Sequence, residues 1–472
     1  MHPAGSRRIA RAMLALRVAA VVSFVIRAAG YSAAMRRTSV LLIALALVAA
    51  SCGSDDDSSA ATTAADVTTA PVETTVPDTS PVETTTEVTT PESEPIDETN
   101  LQEALLDAQP GDVIEIPAGT YSFDRSLSLD VDGVTIRGAG MDETILSFAD
   151  QVAGAEGLLV SASDFTIENL AIEDTVGDAL KINEGENITI RGVRTEWTGP
   201  YSVDNGAYGI YPVQTSNVLI EDSVAIGASD AGIYVGQSKN VVVRNNRAEF
   251  NVAGIEIENT IGADVYGNLA TNNTGGVLVF NLPGLSQIGE GTRIYDNEII
   301  ANNTENFSLP GSVVSVVPAG TGVIILANDK IEIFGNTIAD NRSANIAIAA
   351  GGTVGITGEE DPNFDSFPEG IAIYDNEISG GGDETDGIIA VLQSIALPDG
   401  GNIPGIVWDG SVDPAKLVDG AQADTDRICI QQPGVEVLNA DAANNFAGAS
   451  IAPSEDYDCK LEPLPAVELP GA

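Results

Sequence analysis

Tyr208-Gly209-Ile210-Tyr211, Gly232-Ile233-Tyr234, Gly254-Ile255-Glu256 and Gly276-Val277-Leu278 are one short phrase written four times. The glycines stand 23, 22 and 22 residues apart. Five residues after each comes an amide: Gln214, Gln237, Asn259 and Asn281. A period of this length, made of short β-branched runs and turns, marks a solenoid in which each repeat stacks on the last. Stacking sets the four amides in one vertical file, read here as a structural ladder. The side chains beside them form the expected working surface.

A second file of strands aligns around this one. It holds Val134-Thr135-Ile136, Phe165-Thr166-Ile167, Ile188-Thr189-Ile190, Val218-Leu219-Ile220, Val241-Val242-Val243, Asp264-Val265, Arg293-Ile294, Ile331-Glu332-Ile333 and Ile371-Ala372-Ile373. Short β-branched triplets bounded by polar residues read as strands, not helices. Steps longer than the basic period imply insertions near residues 145–157, 197–206, 281–291, 301–320 and 350–368. Asn246, Asn268, Asn297, Asn336 and Asn376 follow these strands and are expected to stack inside the corners. Leu101, Ala104, Leu105 and Ala108 give one apolar face to a short helix, with Thr99 or Asn100 as its cap, that covers the first coil.

The chain has 472 residues and one histidine, His2. An imidazole base, a Ser/His/Asp triad and His-ligated zinc or iron are therefore excluded from the repeats. Beyond residue 51 there are 69 acids against 14 bases, a net charge of −55. Such a charge excludes nucleic acid held through its phosphates. It also disfavours an unaided polyanion within a Debye length of roughly 8–10 Å. Carboxylates could hold Ca²⁺ through oxygen ligands.

Residues 1–34 fit an upstream stretch assigned ahead of a true start at Met35. Residues 35–51 read as an export signal, with Met35-Arg36-Arg37 before the apolar run Val40 to Ala50. Ala49-Ala50-Ser51-Cys52 resembles the lipobox of bacterial lipoproteins, which implies that Cys52 is lipidated and anchors the chain to a membrane. Ala49 stands where that family usually has Leu. Residues 52–98, rich in Thr, Pro and acids, read as a disordered tether. Residues 99–395 form the solenoid, and 396–472 a C-terminal cap region. Cys429 and Cys459 are expected to bridge there, as cysteine pairs do in exported chains.

Gln109-Pro110-Gly111-Asp112-Val113-Ile114-Glu115-Ile116-Pro117-Ala118-Gly119-Thr120-Tyr121 looks like the opening of right-handed parallel β-helix proteins of the pectin-lyase-like superfamily. Stretches such as Asp230-Ala231-Gly232-Ile233-Tyr234-Val235-Gly236-Gln237 resemble a narrower group of bacterial exported β-helix-repeat proteins. The resemblance implies an all-β, right-handed parallel β-helix, and it spans lyases, hydrolases, epimerases and binding proteins. Hydrolases of this kind carry a Gly-His-Gly turn and epimerases an Asp-Pro-His-His motif. Neither is present, since Asp361-Pro362 continues Asn363-Phe364. Lyase-type chemistry, with an Arg or Lys base and Ca²⁺ on acids, remains open.

On the repeated phrase, the side chains two after each glycine are Tyr211, Tyr234, Glu256 and Leu278. Those four after are Val213, Gly236, Glu258 and Phe280. Tyr211, Tyr234, Phe280 and the nearby Trp197 are candidate sugar-binding rings. Glu256 and Glu258 face one way, about 7 Å apart, as possible acid and base. With Asp230 they are candidate Ca²⁺ ligands, and Lys239 and Arg244 are candidate bases. Two functions are expected: glycan or envelope binding without chemistry, or a Ca²⁺-dependent polysaccharide lyase.

Overall fold

The computed structural model describes residues 96–470. The expectations for residues 1–34, the export signal, Cys52 and nearly all of the tether lie outside the described residues.

The described chain winds through three parallel ladders. The first face stacks eleven parallel strands, from Arg125–Leu129 to Glu436–Asn439. Its register pairs Ile210 with Ile233, Ile233 with Ile255 and Ile255 with Val277, the repeat read from the sequence. The second face carries the β-branched triplets. Ile136, Ile167, Ile190, Ile220, Val243, Val265, Ile294, Ile333 and Ile373 are successive partners along it. A third ladder of three- and four-residue strands, such as Val224–Ile226 and Arg247–Glu249, closes each coil. The stretch expected as an insertion near 145–157 instead supplies strands Thr144–Ser147 and Ala153–Val160.

Alternation inside these strands makes the core. Ile210, Ile233, Ile255, Val277, Val323 and Ile346 from the first face meet Val218, Val241, Ala263 and Ile331 from the second, all fully buried. Each such side chain contributes about 1.5–3 kcal/mol on leaving water. Gln214, Gln237 and Asn259 sit at positive φ, at corners where each first-face strand ends.

Two amide ladders line the inside of the corners. Asn246, Asn268, Asn297, Asn336 and Asn376 pass side-chain hydrogen bonds upward at 2.9–3.0 Å, as expected. A second ladder, Asn251, Asn273, Asn302 and Asn341, was not anticipated. It stands five residues after the first at each coil, and that spacing was legible in the sequence.

At the N-terminal end, helix Leu101–Asp107 buries Leu101 and Leu105 against the first coil. Asn100 takes the N-cap position but makes no side-chain cap hydrogen bond. Gln102 instead exchanges hydrogen bonds with the backbone of Ser128. At the other end the solenoid runs past residue 395. Ile406–Trp408, Ile428–Gln431 and Glu436–Asn439 each add a strand. Ser450–Pro453 then turns antiparallel and closes the first face. The Cys429–Cys459 disulfide forms as expected. Closing that loop contributes about 3–4 kcal/mol on the chain-entropy estimate.

Candidate functional site

The outer side of the first face gathers most of the residues singled out in the sequence. Parallel register stacks Lys181, Tyr211, Tyr234, Glu256 and Leu278 as one file. Asn183, Val213, Gly236, Glu258 and Phe280 stack as the next. The rings of Tyr208, Tyr211 and Tyr234 touch one another at 4.4–4.9 Å between centroids. Gly236 has a specific task here. A Cβ on it would meet the Tyr234 hydroxyl at 2.2 Å, so only glycine lets that ring cross the file. The Tyr234 hydroxyl then donates to Glu258 Oε1 at 2.5 Å.

These files do not form an exposed wall. Glu256 is 2% exposed, Glu258 8%, Tyr234 4% and Phe280 2%. The reason is tertiary. The insertions at 301–320 and 350–368 send Val314, Val317, Phe307, Val354, Ile356 and Phe364 onto the apolar part of this face. The insertion at 282–289 is pinned by the amides once read as a ladder. Asn259 bonds the backbone of Leu282 and Gln287, Asn281 that of Gly289, and Gln237 that of Ser286. Tyr208, Tyr211, Asp178, Asp230 and Lys181 remain half-buried at the edge of this cover.

Burial sets the electrostatics. Desolvation first, then Glu258 and Asp178, push the Asp230 carboxyl up to about 7. Desolvation and the neighbouring acids Asp230 and Glu258 push Glu256 well above the ordinary range. Desolvation also raises Glu258, against the lowering effect of the Tyr234 hydroxyl. Tyr211 is pushed up to about 12 by burial and then by Asp178, so it stays a neutral phenol. The folded state thus holds protons that the unfolded chain releases near pH 4. The stability this protonation contributes is present below that pH and is lost as pH rises, for Asp230 through about 7. Glu256 Oε2 is buried with no hydrogen-bond partner. Chemically, the cluster is a set of carboxyls whose charged forms burial disfavours. Converging carboxylate oxygens within 4.8 Å occur, among the described residues, at Asp329, Asp365 and Glu369, not at the expected Ca²⁺ trio of Asp230, Glu256 and Glu258.

The expected bases belong elsewhere. Lys239 and Arg244 lie on strand Lys239–Arg244 of the second face, part of a turn around the coil from Glu256. Arg244 donates to Glu221 and to the Tyr266 hydroxyl. The base that stands beside the tyrosines on the first face is Lys181, which no repeat in the sequence marks. Its ammonium lies 4.8 Å from the Tyr211 ring centroid and 3.3 Å from Asp178. Trp197 is a loop anchor and not a platform: it is 6% exposed, and its Nε1 donates to Thr175 O at 2.7 Å.

Open aromatic surface lies at the rim instead. Tyr201 and Phe250 are 46% and 38% exposed, with near-parallel rings 6.4 Å apart. Phe307 meets Tyr201 at 5.0 Å and also borders the cluster that Tyr208 and Tyr211 join. Two loops and a turn supply these rings, so no sequence period marks them. The one local signal is Phe250 itself, a bulky residue at positive φ.

Residues 128–286 match the family described as a right-handed β-helix region. Together with the parallel coils, this defines the fold as a right-handed parallel β-helix. Among solved structures, the chain is similar to the A-module of a mannuronan C-5 epimerase from Azotobacter vinelandii. The two are 18% identical over 72% of this chain and 91% of that one, with a TM-score of 0.42. An alginate lyase from Paenibacillus sp. is 15% identical over 61% of this chain and 96% of that one, with a TM-score of 0.35. A polygalacturonase from Erwinia carotovora ssp. carotovora is 12% identical over 62% of this chain and 92% of that one, with a TM-score of 0.40. At these identities the likeness says nothing of substrate or chemistry. No curated protein matches the sequence.

Proposed function

We propose that this protein is an exported, lipid-tethered β-helix that binds glycan or another envelope component without breaking it down. The observation that carries the reading is access. Glu256 and Glu258 lie under the insertions, whereas the stacked rings of Tyr201 and Phe250 stay partly exposed at the rim of the same surface. Flat aromatic faces suit sugar rings. The charge of −55 beyond residue 51 favours a neutral or cationic ligand over a polyuronate. It equally argues against nucleic acid. In this reading residues 35–51 direct export, Cys52 carries the lipid, and residues 52–98 hold the coil stack away from the membrane.

A second reading, a Ca²⁺-dependent polysaccharide lyase, has one observation in its favour: Lys181 stands beside Tyr211 and Asp178 at the edge of the covered acids. The two separate in one experiment. Neutral and uronate polysaccharides are offered with and without Ca²⁺, and both retention by the protein and absorbance of an unsaturated product are followed. Retention without new absorbance is expected. New absorbance that disappears in Lys181→Met would overturn the binding reading.

A further inference from the structure

A second acidic group lies away from the Tyr/Glu file. Asp329 opens strand Asp329–Phe334 of the second face. Asp365 and Glu369 end the long insertion between strands Ala344–Ala349 and Ile371–Tyr374. One carboxylate oxygen from each of the three falls within 4.8 Å of the others. Lys416, from the turn after Trp408, reaches in and donates to Asp365 Oδ2 at 2.6 Å and Glu369 Oε2 at 2.5 Å.

Exposed acids cluster without meaning in a chain this acidic, so the argument turns on Glu369. Its residue is 6% exposed. Its Oε2 accepts a hydrogen bond from the Lys416 ammonium, but Oε1 is buried with no hydrogen-bond donor. A buried carboxylate oxygen without a donor costs about 1–3 kcal/mol, more for a charged group. Charge points the same way. Three carboxylates against one ammonium leave the group at −2 when ionised, the charge of one divalent cation.

We propose that Asp329, Asp365 and Glu369 form a Ca²⁺ site beside the Lys416 ammonium, which pairs with Asp365 and Glu369 but not with Asp329. Ligand chemistry selects the ion. All three donors are oxygens, with no histidine or free cysteine nearby, which suits Ca²⁺ and not zinc or copper. Oxygens at most 4.8 Å apart have a common centre within about 2.8 Å of each. Ca²⁺–oxygen bonds of about 2.3–2.6 Å need an inward shift of a few tenths of an ångström. Mg²⁺, at about 2.0–2.1 Å and octahedral, needs a larger one. The affinity expected of such a partly open site is that of extracellular modules, on the order of 10⁻⁴–10⁻³ M. Its consequence is mechanical. The insertion it would fasten carries Val354, Ile356 and Phe364, which pack on the cover of the first face. Ca²⁺ would thus lock that cover in place.

Calorimetric titration of calcium chloride into the purified protein, with melting curves alongside, tests this. One saturable site and a rise in melting temperature are expected. Asp365→Asn keeps the oxygen that accepts from the Phe367 amide, so it should fold, and it should bind at least about tenfold more weakly. Lys416→Met should bind more tightly than the wild type. Absence of a saturable site in the wild type, or Asp365→Asn binding as the wild type does, overturns the site. Lys416→Met binding no more tightly overturns the placement of the cation beside that ammonium.

Discussion

The first and second faces both send acids and aromatic rings outward, and they neutralise the acids in opposite ways. On the second face Glu168, Glu221 and Asp264 each touch an arginine: Arg137 and Arg191, Arg191 and Arg244, and Arg293. Glu221 is held below the ordinary range even though burial opposes it, because Arg191 and Arg244 both donate to it. The rings there stack plane on plane, Tyr266 on Tyr295, Phe334 and Tyr374, at 4.7–5.1 Å. On the first face Asp230, Glu256 and Glu258 form no ion pair among the described residues, and desolvation raises all three. One face is neutralised by cations and the other by protons. The second face therefore tolerates neutral pH with its charges intact, while the cover over Glu256 on the first face is sensitive to pH.

The sharpest break of this comparison is Arg293→Met. It strips the cation from Asp264, whose side chain is 5% exposed, and should destabilise the fold by about 3 kcal/mol at neutral pH. Denaturant unfolding measures it. A smaller effect of opposite sign is expected from Glu256→Gln. An amide keeps the shape and removes the group that must stay protonated, so the melting temperature at pH 8 should rise, on the order of 2–4 °C. At pH 4 the two proteins should melt alike. Smallest is the rim. Tyr201→Ala and Phe250→Ala should leave melting nearly unchanged and weaken glycan retention about tenfold for the pair. Equal retention would move the binding surface elsewhere.

The coil register was legible in the sequence because the inward residues are β-branched triplets whose spacing is the winding itself. Nine second-face strands align as read, from Ile136 to Ile373. The strands after residue 395 were not legible. Their partners lie across a helix, Gly387–Ala396, and a step from Ile373 to Ile430, so no period announces them. Outward direction was also legible, since parallel register fixes which residues share a file. Burial of that file was not, because the covering side chains of Phe307, Val314 and Phe364 come from insertions without repeat. Proximity in sequence misled for Lys239 and Arg244. Fewer than 20 residues from Glu256, they are part of a turn away around the coil. Lys181, two coils earlier than Tyr234, shares its file and stands beside Tyr211.

The central claim is that burial raises the carboxyls of Glu256 and its neighbours, so that protons stay on this cluster above the ordinary carboxylate range. Infrared spectra across pH 5 to 8 read it directly, through the carbonyl stretch of protonated carboxyl groups. The wild type should keep such a band at pH 6, and Glu256→Gln and Asp230→Asn should each remove part of it. A wild-type spectrum with no protonated carboxyl left at pH 6 would contradict the account.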